Sequence, residues 1–170
     1  MGRWRPPAPV SSPYITADGY QHLQTELKTL LERRKETTRA LATAAIEGDR
    51  SENAEYIYRK KELRDFDKRI GYLQKRMPIL KIVTEVGDEK RVFFGASVTI
   101  ENKTGIMKRY RIVGPDEIHL KDEYISIDSP MGKALLNKTV NEEFSINIEG
   151  SKEKYLIVKI NYPLKNKPNT

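Results

Sequence analysis

Two segments in the first half of the chain repeat apolar residues at spacings of three and four, the period of an amphipathic helix. The first predicts a helix over about residues 17–46, with Thr16 as N-cap and the polar residues Arg34 and Thr37 in its seam. The second predicts a helix over about residues 52–80, with Arg59 as the one polar residue in its seam. The other seam residues are Tyr20, Leu23, Leu27, Leu30, Leu41 and Ala44 in the first helix, and Tyr56, Leu63, Phe66, Ile70, Leu73, Met77 and Leu80 in the second.

A short turn joins these two segments, so they are predicted to fold back on each other as an antiparallel coiled-coil hairpin over residues 14–82. Each arm is then on the order of 45 Å long. Because a two-helix hairpin buries little beyond its own seam, its tip is expected to project from the body that anchors it.

The pattern changes to β-forming residues and turns after Lys81, which predicts a compact α+β domain over residues 83–163. A short helix is predicted to begin at Pro130, with Ser129 as its N-cap, and to end near Asn137. The fold class is therefore α+β. The predicted strands cover residues 92–100, 107–113, 124–127, 144–148 and 155–160.

The two ends of the chain carry no such pattern. Residues 1–13 contain four of the nine prolines and are predicted to be a disordered or extended arm, while residues 164–170 are a polar tail. No apolar run is long enough to cross a membrane, and the first residues lack the apolar segment of a signal peptide. A cytoplasmic protein with no membrane partner is expected.

The charge balance favours a polyanionic partner or an acidic protein surface. The chain holds 31 Lys and Arg against 24 Asp and Glu, a net charge of +7. It has no cysteine, which excludes disulfides and thiolate chemistry. Residues 59–81 alone carry nine basic against three acidic residues, a net charge of +6 that defines a basic stem. A solvated coiled-coil face is the alternative interpretation of this stem.

Acidic residues crowd the turn between the two predicted helices, although neighbouring like charges repel each other. Helix capping explains some of them, because Asp49 or Ser51 can be the N-cap and Glu52 can complete a capping box. Capping explains one or two carboxylates rather than four, so a ligand-directed role stays open beside it. The four carboxylates belong to Glu47, Asp49, Glu52 and Glu55.

No complete catalytic or metal site is evident within the chain. The two histidines, His22 and His119, are far apart and fit no metal-ligand pattern. Ser129 is better explained as a helix cap than as a nucleophile. Asp49 and Glu52 can both touch a Mg²⁺ ion, but so few ligands bind such an ion weakly unless a partner supplies others.

The tip motif of residues 48–56 resembles the signature of the Gre transcript cleavage factors of bacterial RNA polymerase. Runs at residues 91–96, 110–118 and 124–131 are similar to the GreB branch more than to GreA. The resemblance spans roughly residues 14–162. The proline-rich arm is extra, and Asn141-Glu142 stands where the family usually has Gly-Asp, which puts one local turn in doubt.

The resemblance implies a factor that is not an enzyme by itself and acts as a monomer on RNA polymerase. An FKBP-like C-terminal domain would dock at the rim of the secondary channel, and the coiled coil would enter the channel. There, Asp49 and Glu52 would hold a Mg²⁺ ion together with the polymerase, which would then cleave backtracked RNA. The residues that would support the tip are Ser51, Asn53, Glu55 and Tyr56.

Further residues take their expected roles from the same resemblance. The RNA 3′ end is expected to contact Arg59, Lys60, Lys61 and Arg64. The polymerase-docking segment is expected to be Asp128, Ser129, Pro130 and Met131.

Two alternative functions remain open. One is a non-catalytic regulator that blocks the channel. The other is a prolyl isomerase or chaperone, suggested only by the expected C-terminal fold.

Overall fold

The computed structural model describes residues 10–47, with Glu47 as backbone only, and residues 53–163. The chain divides into two compact units. The hairpin unit consists of residues 20–80, and the sheet unit combines the chain up to Gly19 with the chain from Lys81 onward. The boundary lies close to the one expected from the sequence, but the sheet unit also includes the first turn of the first helix.

Two long helices form the hairpin unit: α1, Ala17–Glu47, and α2, Ala54–Arg76. The seam inferred from the sequence is confirmed, since all of its members are buried or partly buried. α1 ends within one residue of its predicted end, and the hairpin and α+β organisation are both confirmed. The buried residues of the seam are Leu23, Thr37 and Ala44 from α1, and Phe66, Ile70 and Leu73 from α2.

The second helix is shorter than the 52–80 predicted from the sequence. After Arg76 the chain tightens into a 3₁₀ turn, Met77–Ile79, and Leu80 is already extended. Pro78 has no backbone N–H to continue the α-helical ladder, which explains why the helix ends before its apolar pattern does. At the other end, α2 begins only after Asn53.

A five-stranded sheet with one short helix, α3 (Pro130–Leu135), organises the sheet unit. The strand order is β5-β4-β3-β7-β6, with β4 and β5 parallel and the other pairs antiparallel. The strands are β3 (Ser97–Asn102), β4 (Met107–Val113), β5 (Tyr124–Ser126), β6 (Glu143–Ile148) and β7 (Ser151–Asn161). The core consists of Val92, Ala96, Val98, Ile100, Ile112, Leu135, Phe144 and Ile157.

Two predicted strands have different limits in the structure. The strand expected at 92–100 begins only at Ser97, because Gly95 has a φ of 86° and Ala96 N–H donates to the Phe93 carbonyl in a turn. The final hairpin is longer than predicted. Its turn is centred on Glu149 and Gly150, whose φ angles of 48° and 84° suit a tight hairpin turn.

A small second sheet ties the N-terminal segment to the sheet unit. β1 (Tyr14–Ile15) pairs in parallel with β2 (Lys81–Ile82), and the sequence pattern predicts neither strand. Pro13 accepts a hydrogen bond from Lys81 N–H at 2.7 Å. The predicted arm of residues 1–13 is therefore held by hydrogen bonds at its end, through Ser12 and Pro13. Residues 1–9 lie outside the described part.

The first turn of α1 is capped by two residues that are far apart in sequence. Thr16 is the N-cap, as predicted, and its Oγ1 accepts a hydrogen bond from Gly19 N–H at 3.0 Å. In a capping box the third helical residue returns a carboxylate to the N-cap. Here Glu117 supplies it, accepting the Thr16 backbone N–H at 3.1 Å and the Thr16 hydroxyl at 2.9 Å. Burial raises the pKa of Glu117, against the opposing effect of these donors.

Gly19→Ala is expected to destabilise the protein by about 1–3 kcal/mol, because the added methyl group displaces a buried hydrogen-bonded carboxylate. A Cβ at Gly19 would lie 1.6 Å from Glu117 Oε2. Urea unfolding followed by circular dichroism measures the change. The control is Gly71→Ala in α2, where a Cβ meets no atom within 4 Å and a gain of up to about 1 kcal/mol is expected. Equal effects of the two substitutions would contradict this account.

Candidate functional site

The tip of the hairpin is closed by the side chain of Asn53. Its Oδ1 accepts hydrogen bonds from the backbone N–H groups of Glu55 and Tyr56 at 3.0 and 3.2 Å, which caps α2. Its Nδ2 donates to the carbonyl oxygen of Ala44 in α1 at 3.1 Å. One side chain therefore starts the second helix and fastens it to the end of the first.

This cap corrects the prediction that Asp49 or Ser51 is the N-cap of α2. Asp49, Ser51 and Glu52 themselves lie outside the described residues. Because Asn53 is the N-cap and accepts from two N–H groups of the first turn, neither Asp49 nor Ser51 takes that position. Capping is thereby weakened as an explanation of the crowded acidic residues.

Two further residues expected to support the tip lie in the first turn of α2. Glu55 is exposed, and its Oε1 lies 3.9 Å from Arg59 Nε. Tyr56 is half-buried, with Lys60 Nζ 5.9 Å from its ring centroid. Both side chains are thus turned toward the basic residues that follow them on the helix.

Further along α2 from the tip, the Glu62 carboxylate contacts three donor side chains. Thr37 Oγ1 donates to it at 3.0 Å across the seam, and the guanidinium groups of Arg33 and Arg59 lie 3.5 and 3.3 Å away. The Glu62 side chain is only 16% exposed. A polar residue in a helix seam needs such a partner, so this cluster explains why the apolar pattern tolerates Thr37 and Arg59.

Two more ion pairs join the helices along their length. Arg34 lies 2.6 Å from Asp67, and Arg69 forms two hydrogen bonds with Glu26 at 2.6 and 3.0 Å. Pairs this exposed contribute little individually to stability. Their effect on charge is larger, because Glu62 and Asp67 face α1 and leave the outer surface of α2 dominated by lysine and arginine.

The four predicted RNA-binding residues are not equivalent. Lys60, Lys61 and Arg64 are exposed, and none of them forms an ion pair with a carboxylate within the described part of the chain. Arg59 is half-buried and already pairs with Glu62. A phosphate would compete with that carboxylate for Arg59, whereas the other three side chains are available to an anion.

The predicted docking segment surrounds the start of α3. Ser129 is the N-cap, as expected: its Oγ accepts from Gly132 N–H at 3.0 Å and donates to the Ser126 carbonyl at 2.6 Å. Asp128 accepts the Ser12 backbone N–H at 2.8 Å and the Ser12 hydroxyl. Pro130 is exposed and Met131 packs partly against the core. Pro130 is thus the most exposed of the four residues, and the other three are partly buried.

Two models of known protein families match the chain, one over the hairpin segment and one over the segment that follows it. Residues 13–82 match the family model "Transcription elongation factor, N-terminal", and residues 87–162 match "Transcription elongation factor, GreA/GreB, C-term". The chain belongs to the GreA/GreB family of transcription elongation factors. The GreB of Xanthomonas axonopodis is 50% identical over 95% of this chain and 98% of its own length. The GreB of Pseudomonas aeruginosa is 47% identical over 96% and 98%.

These relatives confirm the similarity to the GreB branch. Among solved structures, Gfh1 from Thermus aquaticus is 28% identical and covers 89% of this chain and 99% of that chain, with a TM-score of 0.42.

The described part of this GreA/GreB family member contains no group of three or more His, Cys, Asp or Glu side chains arranged to hold a metal. His22 and His119 are exposed. The helices described are too short or too polar to span a membrane.

Sequence reasoning misses the roles of two residues that build this site. The resemblance assigns Asn53 to tip support without a role as cap, although Asn is a preferred N-cap residue and is a candidate on that ground. Glu62 enters the sequence argument only as a charge. Its position opposite Thr37 depends on how the two helices are paired, which no local pattern shows.

Asn53→Ala is expected to destabilise the tip by about 1 kcal/mol, because the first turn of α2 loses its cap. Hydrogen exchange at the amides of Glu55 and Tyr56 should accelerate accordingly. Asn53→Asp is the matched control, since it keeps an acceptor for the cap and loses the donor to Ala44. Unchanged exchange in the alanine variant would show that the cap does not hold the tip.

Proposed function

We propose that this protein enters the secondary channel of RNA polymerase and stimulates the polymerase to cleave backtracked RNA. The observation that carries the proposal is the division of roles at the tip. Asn53 caps α2 and fastens it to α1, so the N-cap of α2 is neither Asp49 nor Ser51. Two carboxylates that lie in the sequence between the two helices of a hairpin, and are not its N-cap, suit a ligand brought by a partner.

The donor set of Asp49 and Glu52 fits Mg²⁺, which prefers hard oxygen ligands. The described residues offer no further group of ligands, so the polymerase would supply the rest. When bound, Mg²⁺ lowers the pKa of a water molecule and offsets negative charge on the phosphodiester. The role of this chain is to hold the two carboxylates in place and present them to the polymerase.

The basic stem would bind the phosphates of the extruded RNA. Lys60, Lys61 and Arg64 are exposed and have no carboxylate partner among the described residues, so they are the preferred candidates. Arg59 would serve mainly to position the stem, because it is engaged with Glu62.

Docking would rest on the surface at the start of α3. The hydroxyl of Ser129 and the carboxylate of Asp128 are occupied by hydrogen bonds that shape the segment. Pro130 and Met131 would then provide the apolar contact to the polymerase, with the FKBP-like sheet unit as their rigid support.

Asp49→Ala or Glu52→Ala is expected to reduce RNA cleavage in stalled polymerase complexes by about 100-fold or more, because a ligand of the shared metal is lost. Binding to polymerase should change little. Cleavage is measured with purified polymerase on backtracked complexes, and affinity is measured by competition on the same complexes.

Glu55→Gln is the control for this experiment, since it removes a nearby carboxylate that faces Arg59. A parallel loss of affinity and cleavage in Asp49→Ala would contradict the division between docking and metal binding. A wild-type protein that binds and does not stimulate cleavage would instead indicate a non-catalytic regulator.

Replacing Lys60, Lys61 and Arg64 together with alanine is expected to slow cleavage of long extruded RNAs more than short ones. Binding should also become less dependent on salt, with the slope of log affinity against log salt falling by about 0.7 for each phosphate that the variant no longer neutralises. Replacing the exposed residues Lys152, Lys154 and Lys159 of β7 together with alanine is the control, because it removes the same three positive charges. An effect independent of RNA length would contradict a phosphate track along the stem.

A further inference from the structure

The sheet unit contains a solvent-accessible groove with a volume of about 340 Å³, which is at the lower end of the range for ligand pockets. The first residues of α1 form one part of it, and the segment that follows β2 forms another. We call it the α1 groove. Its lining includes Ala17, Asp18, Val83, Glu85, Val86 and Phe94.

The walls of the α1 groove are mainly apolar. Val83, Val86 and Phe94 are each only half-buried. The ring of Tyr162 lines the groove as well, while its hydroxyl is already hydrogen-bonded to the backbone. An apolar occupant would remove these side chains from water, which is favourable in proportion to the area covered.

The groove also carries two carboxylates. Asp18 and Glu85 are both exposed, and neither forms an ion pair within the part of the chain that the structure describes. Arg111 lines the groove too, but it is held by the Tyr124 hydroxyl at 3.0 Å and the Gly95 carbonyl at 3.4 Å. The two carboxylates outnumber this cation, so the groove attracts positive charge.

The N-terminal arm has the complementary chemistry. Trp4 is the only tryptophan of the chain, and Arg3 and Arg5 flank it. An indole can bury on the order of 200 Å² of surface, and two guanidinium groups match two carboxylates in number. Prolines follow at positions 6, 7 and 9. They restrict the free arm and so reduce the entropy that it loses on binding.

The described end of the arm leads to the groove. The ring centroid of Tyr14 lies 6.0 Å from that of Phe94, and Thr16 itself lines the groove. Ser12 precedes Thr16 by four residues, which span at most about 14 Å. Trp4 precedes Ser12 by eight residues, which span up to about 28 Å. The arm is therefore long enough to turn back from Ser12 and reach the groove.

From these observations we infer that Arg3, Trp4 and Arg5 of the same chain occupy the α1 groove. The indole covers the apolar wall, and the two guanidinium groups pair with Asp18 and Glu85. The groove is built from residues just before and just after the hairpin unit along the chain, so the bound arm contacts both chain connections to that unit. The inference is independent of the proposed function, because it requires neither polymerase nor RNA.

The C-terminal tail is the competing occupant of the groove. It follows Pro163, which lines the groove, and it contains Leu164 and two lysines. The arm is favoured because an indole covers more apolar surface than a leucine side chain does. The experiment must therefore distinguish Trp4 from Leu164.

The single tryptophan allows a direct measurement on the full-length protein. Fluorescence excited at a wavelength that tyrosine does not absorb reports Trp4 alone. Its emission should be shifted to the blue, and acrylamide should quench it about threefold less than in a peptide of residues 1–12, because the bound indole is largely removed from water. Emission and quenching equal to those of the peptide would overturn the inference.

Charge variants test the proposed ion pairs. Asp18→Asn combined with Glu85→Gln should lower the ratio of bound to free arm about fivefold, the size of two exposed ion pairs, and quenching should increase. The control is Asp122→Asn combined with Glu143→Gln, since both of these residues are exposed and neither lines the groove. Equal effects of the two double variants would show a non-specific attraction and overturn the inference.

Methyl resonances of valine locate the indole. Trp4→Ser should shift the resonances of Val83 and Val86, because the ring current is lost, and leave that of the exposed Val140 unchanged. Leu164→Ser should shift none of them. The reverse pattern would assign the groove to the C-terminal tail and overturn the inference. Nuclear Overhauser effects from Trp4 found only between separately labelled copies would assign the groove to a second chain and overturn it as well.

Discussion

A two-helix hairpin has one seam to bury, and this constraint governs the hairpin unit. Only a narrow line of apolar residues, such as Leu23, Phe66 and Leu73, is removed from water. The remaining contact between the helices is polar: Glu62 joins Thr37 and Arg33, and Arg69 pairs with Glu26. These pairs add little stability individually, but they fix which residues of α1 lie opposite which residues of α2.

The same constraint determines the distribution of charge. Glu62 and Asp67 are used between the helices, while Lys60, Lys61 and Arg64 remain exposed. Most of the surface of α2 is solvent-facing, because a hairpin has no third layer to cover it. The hairpin is thus suited to carry a long basic surface along one helix and an acidic segment at its tip, with Asn53 closing the connection between them.

In the sheet unit, the contacts of the N-terminal segment serve to cap the start of α1, a helix of 31 residues. Thr16 and Glu117 share the capping of α1, and Gly19 leaves the space that the Glu117 carboxylate occupies. Ser12 and Pro13 add hydrogen bonds to Asp128 and Lys81. The N-terminal segment is therefore part of the same unit as the strands that follow the hairpin, although about 60 residues separate them in sequence.

The sequence by itself determined the elements with a strong period or a local signal: the two helices, their seam, the Thr16 and Ser129 caps, and the strands of the sheet. It also carried the tip motif, whose resemblance led to the family. Tertiary structure decided the features that depend on residues distant in sequence. These are the β1–β2 pairing, the hydrogen bonds of the Glu117 carboxylate to Thr16 and the cluster around Glu62. The same cluster holds Arg59 in an ion pair, while the nearby lysines stay exposed. The physical reason is that a periodic pattern reports which side of an element is buried, whereas a hydrogen bond or ion pair depends on which residue lies opposite.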